Sequence, residues 1–148
     1  MEVTLDWKSG MAFKGVADSG FQQNMDADES AGGSNSAGRP MEFIALGLAG
    51  CTGMDVISIL RKKQQDVKNF QVQVHAETAN EHPKVFTSAV LEYHVAGSDI
   101  SEAAVVRAIE LSSEKYCPAQ SMLTKAFPMR FIYKIFDESG KTLLTEGE

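Results

Sequence analysis

The sequence has few cysteines and an excess of acidic residues. Only two of its 148 residues are cysteines, and they lie far apart in the chain, at Cys51 and Cys117. This excludes the disulfide-rich scaffolds of small secreted proteins. Acidic residues outnumber basic ones, 20 against 14, which gives a net charge of −6. This balance disfavours nucleic acid or an anionic membrane surface as a partner.

Targeting and membrane-spanning signals are also missing. The first ten residues, MEVTLDWKSG, are charged and alternating and do not resemble a secretory signal. The longest apolar stretch, residues 43–60, is interrupted by Asp55 and three glycines, whereas a membrane span needs roughly 20 apolar residues. We therefore expect a cytoplasmic protein with no membrane partner. In a reducing cytosol, pairing of the two thiols would be transient, and either catalytic or redox-sensing.

Motifs for metals and common cofactors are absent. His75, His82 and His94 have no metal-ligand spacing to each other or to the cysteines. No phosphate-binding glycine loop follows a predicted strand, and no Gly-x-Ser-x-Gly motif is found. The sequence therefore predicts neither a metal nor a cofactor.

Hydrophobic periodicity predicts an α+β fold. Three short alternating runs between residues 3 and 25 predict an antiparallel meander, and residues 41–63 predict a long helix. A second hairpin, two helices and a last strand at 129–135 follow, so strands and helices are segregated. Asp99 and Glu102 have the spacing of a capping box at the first of these two helices. We expect one domain over residues 1–137, with a flexible loop at 27–40 and a loose tail at 138–148.

The long helix is apolar on every side, so it must be buried on every side. Gly47, Gly50 and Gly53 each cost about 1 kcal/mol relative to alanine, so they need a structural reason. Their spacing would let another backbone or a substrate approach closely. A chain of this length has difficulty surrounding such a helix, so we expect a partner subunit to supply part of the cover.

The two cysteines have different predicted surroundings. Cys51 lies in the long helix, where Asp55 one turn later would oppose formation of a thiolate. Cys117 precedes Pro118 at the start of a helix, where the helix dipole lowers a thiol pKa, and Lys115 is nearby. From these residues alone, Cys117 has the clearer activating environment. Each cysteine can also be interpreted as a small residue without a chemical role, in the core for Cys51 and at a helix junction for Cys117.

Two segments resemble a known family. They are RPMEFIALGLAGCTGMDVISIL, around the first cysteine, and SSEKYCPAQSML, around the second. Together they are similar to the OsmC/Ohr family of bacterial thiol-dependent proteins, in particular to its YhfA-type branch, over nearly the whole chain. The resemblance implies an intertwined homodimer with the long helices at its core and active sites at the interface. It also implies peroxidase activity toward organic hydroperoxides, in defence against oxidative or osmotic stress.

The resemblance assigns a role to each thiol. Cys51 would attack the hydroperoxide as a thiolate and become a sulfenic acid. Cys117 would then condense with it to form an intramolecular disulfide, which a cellular dithiol reduces. This assignment reverses the order that the residues alone suggest, and we adopt it because the fold can bring a cation to Cys51.

The resemblance also suggests other site residues, although this chain differs from the family at these positions. Strong hydroperoxide reductases of the family have a Glu ten residues before the first cysteine, where this chain has Met41, with Glu42 next to it. They also have an Arg in the N-terminal strand region, where this chain has only lysines. Arg39 and Lys14 are therefore the candidate cations, and Glu42 is the candidate orienting carboxylate.

The apolar walls of the predicted substrate pocket are Phe43, Met54 and Met122. A second hypothesis is a binding protein with the same dimeric fold, which holds a lipid-like or aromatic small molecule with little turnover. A third is a structural dimer whose thiols happen to be close.

Overall fold

The computed structural model describes all 148 residues, Met1–Glu148. Its backbone divides into two compact units, Met1–Ala45 and Leu46–Glu148. The boundary falls within the long helix α1 (Pro40–Lys62). With a three-stranded sheet, a four-stranded sheet and three α-helices, the structure confirms the α+β prediction. The prediction of one domain over residues 1–137 stays a prediction.

The first unit contains the predicted meander. Strands β1 (Val3–Ser9), β2 (Ala12–Ala17) and β3 (Gln22–Met25) are antiparallel neighbours in that order. Gly10 and Gly20 have φ angles of 53° and 79° at the two turns, a conformation that glycine adopts without a steric penalty.

The polar segment after β3 is organised around a buried carboxylate. Asp26 is 2% exposed and accepts hydrogen bonds from the backbone amide and the hydroxyl of both Ser34 and Ser36, at 2.7–3.1 Å. These bonds, led by the Ser36 hydroxyl, hold the pKa of Asp26 well below its usual range. A short 3-10 turn at Glu29–Ala31 is capped by Asp28. Residues 27–40 thus have regular local contacts, and the flexibility predicted for them stays a prediction.

The second unit is built on the sheet β4-β5-β6-β7. Strands β4 (Asp66–Thr78) and β5 (Phe86–Ser98) form the predicted antiparallel hairpin. Strand β6 (Met129–Phe136) lies parallel to β5 and is reached through a crossover that contains the remaining helices. Because the central strand β5 is covered by helices on one face, its inward side chains Leu91, Tyr93 and Val95 are fully buried.

The C-terminal segment differs from the sequence prediction. Residues 138–148 were expected as a loose tail, but Leu143–Gly147 form strand β7, antiparallel to β6. The sequence did not predict this strand because it is short and its two leucines are exposed, so that it shows no alternation of apolar and polar residues. The last glycine of the strand, Gly147, packs against Tyr133, which leaves no space for an added Cβ.

Two more helices complete the unit, α2 (Glu102–Leu111) and α3 (Pro118–Leu123). Ser101 caps α2, accepting the Ala104 amide at 3.3 Å, so the predicted cap at Asp99 is wrong. A π-helical turn at Ser112–Tyr116 connects the two helices.

Helix α1 buries only one narrow stripe within the chain. The stripe consists of residues spaced four apart, namely Leu48, Thr52, Val56 and Leu60. Gly47 and Gly50 have open space where a Cβ would be, and Gly53 is next to Val72. By length and hydropathy α1 also passes a test for membrane-crossing helices, but core helices of soluble proteins pass the same test. The burial on every side that was predicted from the sequence is therefore absent within one chain.

Candidate functional site

The structure brings the two thiols together. Cys51 lies in the middle of α1 and is partly exposed, whereas Cys117 lies between the π-helical turn and α3 and is 2% exposed. Both are free cysteines, and their side chains are close enough to form a hydrogen bond. Because only α1 and the α2–α3 crossover carry cysteines, the pairing depends on the packing of these two segments.

Cys117 has the predicted helix position but not the predicted reactivity. Its Sγ accepts the backbone N–H of Gln120 at 3.4 Å, as expected for a thiol at a helix N-cap. Burial, and next the hydrogen bond with Cys51, nevertheless raise the pKa of Cys117 to about 11. The ammonium group of Lys115 lies over the ring of Tyr116, 5.4 Å from its centroid. The expectation that Cys117 is the activated thiol is therefore wrong, because desolvation outweighs the helix dipole.

Asp55 binds a hydroxyl group of the crossover. Its Oδ2 accepts a hydrogen bond from Ser112 Oγ at 3.2 Å. Ser112 is the first residue of the π-helical turn that leads to Cys117. A cavity of about 270 Å³ opens beside Asp55 and is lined further by Ser58, Ile59, Lys62, Leu111 and Tyr116. Asp55 thus connects α1 to the crossover at a cavity next to the buried hydroxyls.

A buried polar cluster lies beneath the thiols. Thr52 Oγ1 is 2.7 Å from the Tyr93 hydroxyl and 3.0 Å from Ser112 Oγ. Gln120 Nε2 donates to the same Tyr93 hydroxyl at 3.1 Å. None of these four side chains is exposed, and burial raises the pKa of Tyr93 to about 12. Sequence reasoning missed the cluster, although Thr52 and Tyr93 stand at positions where the periodicity predicts apolar core residues.

Arg39 and Glu42 form a pair at the start of α1. Arg39 Nη1 donates to Glu42 Oε1 at 3.1 Å, and Glu42 Oε2 accepts the backbone N–H of Arg39 at 3.0 Å. The second contact is the glutamate half of a capping box. These bonds, led by that of the backbone amide, lower the pKa of Glu42. Asn35 accepts a further hydrogen bond from Arg39 at 3.1 Å, whereas Lys14 on β2 forms no ion pair.

The residues predicted as substrate walls lie in three different places. Phe43 packs against Gly38, where an added Cβ would be 3.1 Å from the ring. Met54 is 74% exposed and lines an open groove between α1 and β4, together with Leu46, Ala49, Gly50, Gly53, Ile57, Phe70 and Val72. Met122 is 65% exposed on α3. Their common role in binding a substrate stays a prediction.

A second cavity, of about 340 Å³, lies between α2 and β6. It is lined by Val106, Ile109, Glu110, Ser113, Arg130, Phe131, Tyr133 and Glu148. Its lining includes neither thiol. No group of three or more His, Cys, Asp or Glu side chains is placed to hold a metal ion.

Comparisons with known proteins agree with this architecture. A family model described as OsmC-like protein matches residues 33–131. Protein YhfA of Escherichia coli strain K12 is 38% identical over 135 residues, which cover 91% of this chain and 98% of that protein.

Solved structures give the same result for the fold. A hypothetical protein from Aquifex aeolicus VF5 has a TM-score of 0.80 at 28% identity, covering 93% of this chain and 96% of that one. An organic hydroperoxide resistance protein OsmC from Legionella pneumophila has a TM-score of 0.66 at 12% identity, covering 91% and 96%. The match to the family model and the identity with YhfA together show that the chain belongs to the OsmC-like family.

Proposed function

We propose that the protein is a thiol peroxidase that reduces organic hydroperoxides through Cys51 and Cys117. The observation that carries this proposal is the contact between two free thiols, one partly exposed and the other buried. The name of the Legionella relative, an organic hydroperoxide resistance protein, supports the choice of substrate class.

The reaction has three steps. The thiolate of Cys51 attacks one peroxide oxygen, the O–O bond breaks, and the leaving alkoxide takes up a proton to become an alcohol. Cys51 is then a sulfenic acid. The sulfur of Cys117 attacks the Cys51 sulfur, the S–O bond breaks, and the Cys117 proton leaves with the hydroxyl group as water. A cellular dithiol then reduces the disulfide by thiol–disulfide exchange. We propose the cytoplasm as the site of this cycle, since dithiols stay reduced there.

The difference between the thiols supports this order of attack. The buried thiol of Cys117 has a pKa of about 11, so it keeps its proton near neutral pH. A protonated thiol is a poor nucleophile toward peroxide but can donate a hydrogen bond to a neighbouring thiolate. Cys51 is the more exposed of the two, so a substrate has easier access to it.

Arg39 is the proposed cation of the site, with Glu42 orienting it. The support for this assignment is their mutual pair, in which Glu42 binds both the side chain and the backbone of Arg39. We expect Arg39→Ala to slow peroxide reduction by about tenfold or more, since a charged hydrogen bond contributes about 1.5–3 kcal/mol. Lys14→Ala is the matched comparison, and a larger loss in that variant would transfer the role to Lys14.

We propose that the working unit is a homodimer in which a second chain covers α1. Leu46 and Met54 on α1 are 63% and 74% exposed, and the groove beside them is apolar. Burying this surface in a dimer would stabilise it by removing apolar area from water. Light scattering after size-exclusion chromatography should give twice the mass of one chain, and Met54→Glu should reduce it to that of a monomer. A monomeric wild type would contradict this part of the proposal.

The function is tested by brief exposure of the reduced protein to stoichiometric cumene hydroperoxide or hydrogen peroxide. We expect both free thiols to disappear as one intramolecular disulfide, faster with the organic peroxide. Intact mass and a free-thiol count measure this, and Cys51→Ser is the control that should form no disulfide. If both thiols stay free, the proposal is wrong, and the binding protein and the structural dimer are the hypotheses to test next.

A further inference from the structure

Asp26 accepts hydrogen bonds on both oxygens of its carboxylate. Its Oδ2 accepts the backbone N–H groups of Ser34 and Ser36 at 3.1 and 3.0 Å, and their hydroxyls at 2.8 and 2.7 Å. Its Oδ1 accepts the backbone N–H of Ala27 at 2.8 Å. An ionised carboxylate accepts on both oxygens, whereas a side-chain amide would turn its NH₂ group toward one set of these donors. This bonding pattern therefore requires a carboxylate.

The two serines that Asp26 binds are the chain neighbours of Asn35. Asn35 has a φ angle of 55°, in the left-handed region that asparagine adopts more readily than most residues. Its backbone N–H donates to the carbonyl oxygen of Ala27 at 3.1 Å. Because both neighbours and its own N–H are bound, the backbone of Asn35 is held in one place, and so is the start of its side chain.

Asn35 in turn binds the guanidinium group of Arg39. Asn35 Oδ1 accepts a hydrogen bond from Arg39 Nη2 at 3.1 Å, and Glu42 Oε1 accepts one from Nη1, also at 3.1 Å. The carboxylate of Asp28 lies 3.7 Å from Arg39 Nε. Arg39 is the only one of the four arginines whose two terminal nitrogens both have a hydrogen-bond partner. Its guanidinium group is therefore hindered from rotating about the Nε–Cζ bond.

We propose that Asp26 positions the guanidinium group of Arg39 by holding Asn35 between its two serine neighbours. Glu42 binds this group from the first turn of α1, and Asn35 binds it from the preceding loop, so the group is held between two segments. Asp26 is thus a positioning residue for the proposed cation. The consequence for peroxide reduction rests on the proposed function, whereas the orientation of the guanidinium group does not.

Asn35→Gly tests the link between the loop and Arg39. Glycine adopts the φ angle of Asn35 without strain, so the variant loses the acceptor of Nη2 and keeps the backbone. NMR of protein labelled with nitrogen-15 arginine measures the exchange between the Nη1 and Nη2 signals, and Arg39→Ala assigns them. We expect this exchange to become about threefold faster or more, since an exposed hydrogen bond to a charged group opposes the rotation less strongly than a buried one. Asn35→Asp keeps an acceptor and should leave the exchange as slow as in the wild type.

Asp26→Asn tests the start of the path. One set of donors then faces an NH₂ group, so we expect Asn35 to lose its fixed place and the Arg39 signals to exchange faster by a similar factor. Asp137→Asn is the matched control. Asp137 likewise accepts hydrogen bonds from a serine hydroxyl and two backbone N–H groups, at 2.7–3.3 Å, in the turn between β6 and β7. This control should leave the exchange at Arg39 unchanged.

The inference is overturned if the exchange at Arg39 stays as slow as in the wild type in either folded variant, Asn35→Gly or Asp26→Asn, or if Asp137→Asn accelerates it as much. If Asp26→Asn does not fold, Ser36→Ala takes its place, because it removes one hydrogen bond of the carboxylate and should accelerate the exchange by a smaller factor.

The consequence for the reaction is measured separately, as the loss of free thiols in Asn35→Gly exposed to cumene hydroperoxide. We expect this loss to be about twofold to fivefold slower than in the wild type, because the cation is kept but its orientation is not. Reduction of the disulfide by dithiothreitol, in which Arg39 has no proposed role, should keep its wild-type rate. If the Arg39 signals respond and the peroxide reaction does not, only the role of Arg39 in the proposed function is contradicted.

Discussion

Cys51 and Cys117 touch each other but have opposite surroundings. Cys51 is partly exposed on a helix whose outer face is uncovered in the chain. Cys117 is nearly inaccessible and stands next to a row of buried, hydrogen-bonded side chains. Helix α3, which begins after Cys117, has only six residues. The comparison teaches that, at Cys117, burial raises the pKa of the thiol although the residue stands at a helix N-terminus.

The largest expected effect, on peroxide turnover, comes from replacing each cysteine in turn with serine. Cys51→Ser should reduce peroxide turnover to background, because the attacking atom is lost. Cys117→Ser should still react once and stop at the sulfenic acid, which dimedone traps and mass spectrometry detects. If Cys117→Ser abolishes the first reaction and Cys51→Ser does not, the roles of the two thiols are reversed.

The second expected effect is a loss of stability at alkaline pH. The pKa of Cys117 rises from 9.0 to about 11 on folding, and that of Tyr93 from 10.0 to about 12. The folded state therefore binds more protons than the unfolded state between these values, and the free energy of unfolding falls as pH rises through them. Each group contributes up to about 1.4 kcal/mol per pH unit.

Urea unfolding at a series of pH values between about 8 and 12 measures this decline. It should begin near pH 9 in the wild type and near pH 10 in Cys117→Ser, where the contribution of Cys117 is lost and that of Tyr93 remains. An identical profile in both proteins would show that Cys117 titrates normally in the folded state.

A smaller effect is expected from removing one hydroxyl of the buried row. Tyr93→Phe removes a hydrogen-bond partner of both Thr52 and Gln120 in a buried place, so we expect a loss of about 1–3 kcal/mol in the free energy of unfolding. Tyr116→Phe is the matched control, since Tyr116 is 49% exposed. Urea denaturation measures both. Equal stabilities of the two variants would mean that the Tyr93 hydroxyl and its buried hydrogen bonds contribute nothing to the free energy of unfolding.

The smallest effect is expected at Lys115. Its ammonium group lies over the Tyr116 ring and is exposed to water. Lys115→Ala should therefore leave the titration midpoint of Cys117 within about 0.3 pH units of the wild type, as measured by an NMR pH titration of protein labelled with carbon-13 at the cysteine Cβ. A larger shift would support the prediction that the charge of Lys115 affects the pKa of Cys117.

Much of the fold could be predicted from the sequence because its elements have clear periods. Helix α1 begins and ends within one residue of the prediction. Strand β6 begins at residue 129, as the alternating pattern predicts, and ends one residue later than predicted. Strand β7 could not be predicted, because Leu143–Gly147 are few and exposed and are ordered by pairing with β6. The parallel pairing of β5 and β6 is likewise a property of the crossover, which no local pattern describes.

The candidate site could be predicted only at its sulfur atoms. Cysteines are rare in this chain, so two of them in segments that resemble the OsmC/Ohr family strongly indicated a thiol site. The pKa of Cys117 depends on desolvation by residues distant in sequence, so the local argument from the helix dipole gave the wrong direction. The hydroxyls of Thr52, Tyr93 and Ser112 meet only after folding, and each alone is an ordinary residue in a helix, a strand or a turn.

Thr52 also fixes the rotation of α1 about its own axis. Most of the helix surface is apolar, so turning the helix would exchange one apolar side chain for another at little cost. Thr52 is the one polar residue in the buried stripe, and its hydroxyl must reach both Tyr93 and Ser112. Successive residues of an α-helix are about 100° apart, so the direction of Thr52 dictates that of Cys51. Together with the Asp55 carboxylate, which also binds Ser112, this hydroxyl allows only one rotation of an otherwise apolar helix.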